Sequence, residues 1–170
     1  VKALILKLNI GCGNKKIEGY HGVDKFKCDA ADYICDIENE KLPFDDNTIT
    51  AIILDNVIEH FFDIPKVVDE LVRVSKKGAN VRIITPHFSS LSSWIDPTHI
   101  HHLSYFSFDH FEKESVTHYI GKGIKIKHIK LSFGGGFMGL IARLIFNISP
   151  KRYEQKYCFK IGRASCRERV

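Results

Sequence analysis

The sequence predicts an α/β fold: a doubly wound, mainly parallel sheet with helices on both of its faces. Three observations lead to this prediction. Apolar segments of strand length alternate with segments of helical period, a glycine-rich turn follows the first apolar segment, and acidic or amide residues follow most of the others. In sheets of this kind, ligands bind beyond the carboxyl ends of the strands. We therefore expect the functional residues at those ends.

Six segments have the composition of strands. Residues 49–54 form an uninterrupted apolar run, which is typical of a central parallel strand covered on both faces. The full set comprises residues 3–10, 20–24, 32–35, 49–54, 80–85 and 124–133.

Helices are predicted where a capping residue precedes apolar residues of helical period. Asp63 can cap a helix whose valines and leucines share one broad face, and Gly78 is expected to end it. Asp109 resembles the start of a capping box for a helix that extends to Tyr119. The segment Phe137–Ile148 has the pattern of an apolar helix.

The last ten residues differ from the rest of the chain. Residues 161–170 read IGRASCRERV, have neither helical nor strand period, and resemble the translation of a common DNA-sequencing adapter. We therefore expect residues 161–170 to be a non-native tail and residues 1–160 to form the domain. Without this tail, which contains three arginines and Glu168, the formal net charge falls from +5 to +3. Such a charge is not the basic footprint of a nucleic-acid-binding protein.

Composition narrows the class of protein further. No apolar run reaches the roughly 18 residues of a membrane span, and no signal peptide opens the sequence. The five cysteines are an odd number without a C-x-x-C pair, which argues against a disulfide framework. We expect a cytoplasmic protein with no membrane span and no nucleic-acid partner. The sequence leaves its oligomeric state open.

The residues at the strand ends resemble the motifs of one enzyme family. The sequence reads N-I-G-C-G-N at residues 9–14, G-V-D at 22–24, C-D-I at 35–37, L-P-F-D-D-N at 42–47 and L-D-N-V-I-E-H at 54–60. These motifs are similar to those of the class I S-adenosylmethionine-dependent methyltransferases, in register over roughly residues 4–87. The resemblance implies that residues 1–160 are a small methyltransferase-like domain with S-adenosylmethionine as its cofactor.

The resemblance also implies which residues bind the cofactor. Asp24 would accept hydrogen bonds from both ribose hydroxyls, and Asp36 from the adenine amino group, with the Ile37 amide facing the ring. Asp55 and Asn56 would flank the methionine portion. Glycines in the first turn let the backbone approach a ligand closely. The predicted cofactor-binding residues are Asn9, Gly11, Cys12, Gly13, Asp24, Asp36, Ile37, Asp55 and Asn56.

One segment departs from the family pattern and bears on two alternatives. Between Gly13 and Asp24 there is room for only a loop or one helical turn, where the family usually has a full helix. A nicotinamide site needs that helix N-terminus for its pyrophosphate, and its third glycine falls on Lys16. An NAD- or nucleotide-sugar-binding oxidoreductase is therefore a weaker alternative. A non-catalytic cofactor-binding module of the same fold is the other.

Histidines are concentrated in and just after residues 87–107, a stretch too long for a simple connector. His99 and His87 are predicted as catalytic residues, one of them acting as general base toward the acceptor. Packing beside aromatic residues is one alternative, and a metal-dependent hydrolase is another. No H-E-x-x-H pattern frames the histidines, and no metal ligand is predicted. The set comprises His87, His99, His101, His102 and His110.

The resemblance further implies a reaction and a sheet topology. The reaction would be an in-line displacement at the sulfonium methyl by an oxygen, nitrogen or carbon of a small molecule or another unidentified acceptor. The sheet would have seven strands, with the last one antiparallel between the fifth and the sixth. Because nothing in residues 161–170 alternates like a strand, we expect the final strand to be missing and the tail to lie outside the core.

Overall fold

The computed structural model describes residues 6–112, 124–134 and 136–158, and the backbone of residues 164–169. One seven-stranded sheet organises the chain, with the strand order β3-β2-β1-β4-β5-β7-β6. The strands are β1 (Leu6–Ile10), β2 (His21–Asp24), β3 (Tyr33–Ile34), β4 (Ile49–Asp55), β5 (Ser75–Thr85), β6 (His128–Phe133) and β7 (Ala164–Arg169). The described helices are α1 (Ile64–Val74), α2 (Asp109–Glu112), α3 (Phe137–Ile148) and α4 (Pro150–Arg152), followed by one π-helical turn (Tyr153–Tyr157).

The first five strands pair in parallel, as the sequence predicts. Strand β1 lies between β2 and β4, with Ile10 opposite both Val23 and Leu54. Leu8, Asn9 and Ile10 of β1 are buried on both faces of the sheet. Ile52 and Leu54 are fully buried on one face of β4, whereas Ile53 on its other face lines a cavity. The connections that follow β1, β2 and β4 therefore leave the sheet at the same edge, where their polar residues gather.

Helix α1 confirms the predicted cap and changes the predicted end. Asp63 accepts a hydrogen bond from the Lys66 amide at 3.0 Å, and the buried face of α1 packs in the main core. The helix ends at Val74, because the next residue, Ser75, is already extended. Gly78, with φ +82°, lies inside β5 between Ser75 and Asn80, where the pairing with β4 shifts register. The prediction that Gly78 ends the helix is therefore wrong.

The prediction that the final strand is missing is also wrong. The backbone of Ala164–Arg169 forms β7, which runs antiparallel to β6 over six residue pairs and to β5 at Ile84 and Thr85. Strand pairing uses backbone amides and carbonyls, so the slot between β5 and β6 can accept a segment without alternating side chains. The backbone of the tail is thus part of the sheet, which contradicts the expectation that the tail lies outside the core. That residues 161–170 are non-native stays a prediction.

The remaining elements differ from the predictions mainly in their bounds. Strand β6 begins at His128, since residues 124–127 are not paired in the sheet. Helix α2 is described over Asp109–Glu112, and its predicted continuation to Tyr119 lies outside the described residues. Residues 14–20 contain no helix, which confirms the short connection between β1 and β2. Within the described ranges, no helix has the length and apolarity needed to cross a membrane.

Candidate functional site

A cavity of about 500 Å³ opens at the carboxyl ends of β1, β2 and β4. Five of the predicted cofactor-binding residues line it: Gly11, Asp24, Asp36, Ile37 and Asn56. The other lining residues are Ile10, Val23, Lys25, Phe26, Cys35, Val57, His60, Phe61 and Thr98. Residues from the connections after five successive strands, β1 to β5, thus meet at one site, as the topology requires.

The glycine turn after β1 forms the floor of this cavity. Gly11 has φ +65°, and its amide donates to the Val23 carbonyl at 2.8 Å. A Cβ on Gly11 would overlap the Val57 side chain, so the packing of Val57 against this turn requires glycine. Gly13 has φ +50°, and its amide donates to Asp24 Oδ2 at 2.9 Å.

Two other predicted cofactor-binding residues, Asn9 and Cys12, contact this turn and its surroundings without lining the cavity. Asn9 is buried, and its Nδ2 donates to the Lys15 carbonyl at 3.0 Å. Cys12 is also buried, with its Sγ 4.0 Å from Cys28 Sγ. Burial and the neighbouring Cys28 raise the pKa of Cys12 to about 12, so its thiol is protonated at neutral pH. Neither side chain lines the described cavity.

The Asp24 carboxylate is held in a fixed orientation at the end of β2. One oxygen accepts from the Gly13 amide, and the other accepts from the Phe26 amide at 3.0 Å. Each carboxylate oxygen can accept a second hydrogen bond, so both remain able to bind a ligand hydroxyl. Asp24 lines the cavity in this orientation.

Asp36 and Ile37 form the next part of the wall, after β3. The Asp36 carboxylate accepts from the Glu38 amide at 3.2 Å and from Asn39 Nδ2 at 2.8 Å, which orients it. The Ile37 side chain is 95% buried and supplies an apolar surface. Phe26 also lines this cavity, but in contrast to Ile37 it is 67% exposed. The sequence analysis missed Phe26, although an aromatic residue two positions after Asp24 is a signal that it could have used.

Asp55 and Asn56 lie at the end of β4, between this cavity and a second one. Asp55 Oδ2 forms an ion pair with Lys15 Nζ at 2.5 Å, and Asn56 has φ +55°. Asn56 lines both cavities, whereas Asp55 lines only the second. The second cavity has a volume of about 420 Å³ and includes Arg82 and Ser92.

Comparisons with known proteins agree with this fold. A solved S-adenosylmethionine-dependent methyltransferase from Archaeoglobus fulgidus shares the fold, with a TM-score of 0.60 at 15% identity over 98% of this chain and 87% of that chain. A candidate methyltransferase from Bacillus halodurans has a TM-score of 0.60 at 14% identity, over 99% and 90% of the two chains. One from Aquifex aeolicus gives 0.53 at 16% identity, with 74% of each chain covered. No curated protein matches the sequence.

A family comparison covers the central part of the chain. Residues 22–83, which run from β2 to β5, match the family described as "Methyltransferase domain". The described fold is that of the class I methyltransferases. The resemblance inferred from the sequence is thereby confirmed for the fold and, over residues 22–83, for the family match.

The two histidines predicted as catalytic occupy different parts of the described structure. His87 is fully buried, with Nδ1 2.8 Å from Ser89 Oγ and Nε2 2.8 Å from Glu154 Oε1. His99 is 94% buried at its side chain, with Nδ1 3.1 Å from the Ser93 carbonyl. Neither ring lines the described cavity. Their catalytic roles stay predictions.

The ring that does line the cavity belongs to His60, which the sequence analysis left out of the site. Its Nδ1 lies 3.1 Å from the Thr98 carbonyl, and its ring makes an edge-on contact with His99 at 4.7 Å between centroids. The preceding residue, Glu59, is 99% buried. Burial raises the pKa of Glu59, against the lowering effect of its hydrogen bonds, one of them from Thr85. Both residues belong to the L-D-N-V-I-E-H motif, which contained the signal.

The remaining histidines of this group do not form one cluster in the described structure. His101 contacts the Phe62 carbonyl at 3.3 Å, whereas His102 stacks on Trp94 at 3.7 Å between centroids. His110 is exposed on α2. The five histidines between residues 87 and 110 are close in sequence, but their side chains do not converge in the described structure.

Proposed function

We propose that this domain transfers the methyl group of S-adenosylmethionine to an acceptor. The observation that carries the proposal is that Gly11, Asp24 and Asp36 line one cavity at the carboxyl ends of adjacent parallel strands. These are the residue types and positions that the family resemblance assigns to cofactor binding.

Each part of the cofactor has a chemically suited partner in the proposed complex. The Asp24 carboxylate binds the two ribose hydroxyls, because both of its oxygens have accepting capacity beyond their backbone contacts. Asp36 accepts from the adenine amino group, and Ile37 and Phe26 contact the faces and edge of the base. Asn56, at the junction of the two cavities, contacts the methionine portion together with Asp55.

The proposed reaction is a direct displacement at the sulfonium methyl. A nucleophilic atom of the acceptor forms a bond to the methyl carbon while the carbon–sulfur bond breaks, and S-adenosylhomocysteine leaves. Holding donor and acceptor in line contributes up to about 7–11 kcal/mol in well-oriented cases. We place the acceptor on the side of His60 and Thr98, which line the cavity but have no role in the proposed cofactor contacts.

A role as general base remains a proposal for His99 and His87. His99 is the better placed of the two, since its ring contacts His60, which lines the cavity. We also propose that the protein acts in the cytoplasm, and the free thiols of the four described cysteines support this proposal.

A second candidate function is a cofactor-binding module without catalytic activity. The observation that favours it is the short, non-helical connection over residues 14–20, which leaves the second cavity next to the first. Such a module would bind cofactor and product analogue yet transfer no methyl group.

Calorimetric titration with S-adenosylmethionine and S-adenosylhomocysteine, followed by a labelled-methyl transfer screen, tests these functions. Binding of both compounds and transfer of a tritium-labelled methyl group to an acceptor is the expected result. Binding without transfer to any acceptor in a cell extract would favour the module. Absence of binding to both compounds, or co-purified nicotinamide visible in the absorbance spectrum, would contradict the proposal.

A further inference from the structure

Three side chains with metal-binding atoms converge beside the cofactor cavity. They are Glu59, His60 and His99, and one ligand atom from each lies within 4.8 Å of the other two. Glu59 and His60 come from the short 3-10 turn after β4, whereas His99 comes from the loop after β5. None of the three has a part in the proposed cofactor contacts.

The first observation is a buried carboxylate oxygen of Glu59. Its Oε2 accepts from Thr85 Oγ1 at 2.9 Å. Its Oε1 is buried and has no hydrogen-bond partner among the described residues. A buried polar atom without a partner is costly, and such an atom in a native structure calls for a specific explanation.

The second observation is the orientation of His99 toward this oxygen. Its Nδ1 lies 3.1 Å from the Ser93 carbonyl, which can only accept, so Nδ1 carries a proton, and in the neutral ring Nε2 presents a lone pair. This Nε2 lies 3.8 Å from Glu59 Oε1, which is too long for a hydrogen bond. Two electron-pair donors therefore face each other in a buried place. A cation between them would satisfy both.

The third observation concerns the partners behind these ligands. Metal-binding histidines typically donate their second ring nitrogen to a carbonyl or carboxylate, which fixes the ring. His99 does so to Ser93, and His60 Nδ1 lies 3.1 Å from the Thr98 carbonyl in the same manner. Asp96 Oδ2 also lies 3.8 Å from His99 Nε2 and offers a fourth ligand.

We propose that Glu59, His60 and His99 bind one divalent cation of the zinc class. Zinc takes imidazole and carboxylate ligands at about 2.0–2.2 Å, which puts two ligands of one tetrahedral ion roughly 3.4 Å apart. The 3.8 Å separation of Glu59 Oε1 and His99 Nε2 is close to this value, and a ligand atom of His60 lies within 4.8 Å of both. Because His60 lines the cavity, the ion would sit in its wall, where an acceptor oxygen could coordinate.

This site would give His99 a different role from the one predicted from the sequence. A nitrogen whose lone pair binds a metal cannot accept a proton. His99 would then hold the cation, and the cation would orient the acceptor and lower the pKa of a bound hydroxyl. Metal binding does not depend on the proposed methyl transfer, so it can be measured on its own.

The test is a titration of the chelator-dialysed chain with Zn²⁺ by calorimetry, and with Co²⁺ by visible absorption, both without S-adenosylmethionine. We expect one ion per chain. Glu59→Gln and His99→Gln should each weaken Zn²⁺ binding at least tenfold, and His60→Gln provides a further variant at a more exposed position. The matched control is His101→Gln, on the same loop but outside the three ligands, and it should leave the affinity unchanged. Circular dichroism checks that each variant folds.

Three results would overturn the proposal. One is the absence of stoichiometric binding, which would mean that a proton or a water satisfies Glu59. Another is undiminished binding in folded Glu59→Gln. The last is a thiolate-to-cobalt absorption band that disappears in Cys12→Ser, because Cys12, Asp24 and Cys28 also lie within 4.8 Å of one another and could bind the ion instead.

Discussion

His87 Nε2 and Glu154 Oε1 lie 2.8 Å apart and join the loop after β5 to the segment after α4. The same Glu154 oxygen also accepts from the Tyr105 amide at 2.6 Å. The imidazole is completely buried, and Ser89 Oγ binds its other nitrogen. This arrangement connects the C-terminal segment to the end of the parallel sheet through a single carboxylate.

Replacing His87 should therefore lower stability. We expect His87→Gln to reduce the free energy of unfolding by about 1–3 kcal/mol, because it leaves a partner of a buried polar network unsatisfied. Thermal unfolding measures this change. His128→Gln, at an exposed position of β6, is the control and should have little effect. If His87 is instead the general base, turnover will fall while the melting temperature stays unchanged.

Removal of the Asp24 carboxylate should weaken cofactor binding. Asp24→Ala removes two charge-assisted acceptors, so the dissociation constant of S-adenosylmethionine should rise at least tenfold, or about 1.4 kcal/mol. Asp36→Ala should weaken binding less, since one hydrogen bond is lost and the apolar contacts remain. Calorimetry measures both.

Two further variants keep the Asp24 result interpretable. Asp29→Ala changes an exposed acid on the loop after β2 and should leave the dissociation constant unchanged. Asp24→Asn retains an acceptor for the Gly13 amide and controls for collapse of the turn. A folded Asp24→Ala chain with unchanged affinity would contradict the assignment.

The close approach at Gly11 predicts a strong effect of a single methyl group. Gly11→Ala combines a left-handed backbone with an overlap against Val57, whereas Gly19→Ala has φ +75° but no atom within 4 Å of the added Cβ. A left-handed alanine costs roughly 1–2 kcal/mol, so Gly19→Ala should lose about that much and Gly11→Ala clearly more. Chemical denaturation measures the difference. Val57→Ala in the Gly11→Ala background should recover part of it, and equal losses in the two single variants would show that no overlap exists.

Glu70 should stabilise the domain in a pH-dependent way. It accepts from the Leu42 amide at 2.7 Å and from Arg73 Nη2 at 2.6 Å. Burial acts to raise the pKa of Glu70, but the Arg73 and Leu42 hydrogen bonds outweigh it and hold the pKa below its usual value of 4.5. The folded state therefore binds this proton less tightly than the unfolded state.

The sign of the effect follows from this difference. The stabilisation is fully present above pH 4.5 and is lost as the pH falls through the lowered pKa of the folded state. We expect Glu70→Gln to be less stable than the parent chain at neutral pH and to approach it in acid. Thermal melts from pH 2 to 7 measure this, with exposed Glu18→Gln as the control. A constant difference across that range would rule out the linkage.

Sequence reasoning correctly placed Asp24, Asp36 and Asn56 together because parallel strands bring their carboxyl ends to one edge. Asp24 ends β2, Asp36 and Asn56 follow β3 and β4, and the structure places all three at one cavity. That they bind the cofactor stays a prediction. Sequence reasoning could not predict which residues of the glycine turn face the cavity, because this depends on the left-handed backbone at Gly11 and Gly13.

The histidines and the final strand show what a linear pattern cannot reveal. His87 and His99 are close in sequence, yet the carboxylates nearest to them lie on different elements, Glu154 in one case and Glu59 in the other. Strand β7 pairs with β5 on one side and β6 on the other. The unpaired backbone groups that it binds exist only once the rest of the sheet has formed, so the sequence of residues 164–169 does not reveal this pairing.

Every residue that lines the proposed cofactor cavity lies between Ile10 and Thr98. During synthesis, a growing polypeptide therefore holds all of them before β6, α3 and β7 have left the ribosome. Domains generally begin to fold from the N-terminus as they are made. The order of the elements along the chain thus lets the binding pocket assemble on the nascent protein, while β6 and β7 join the sheet later.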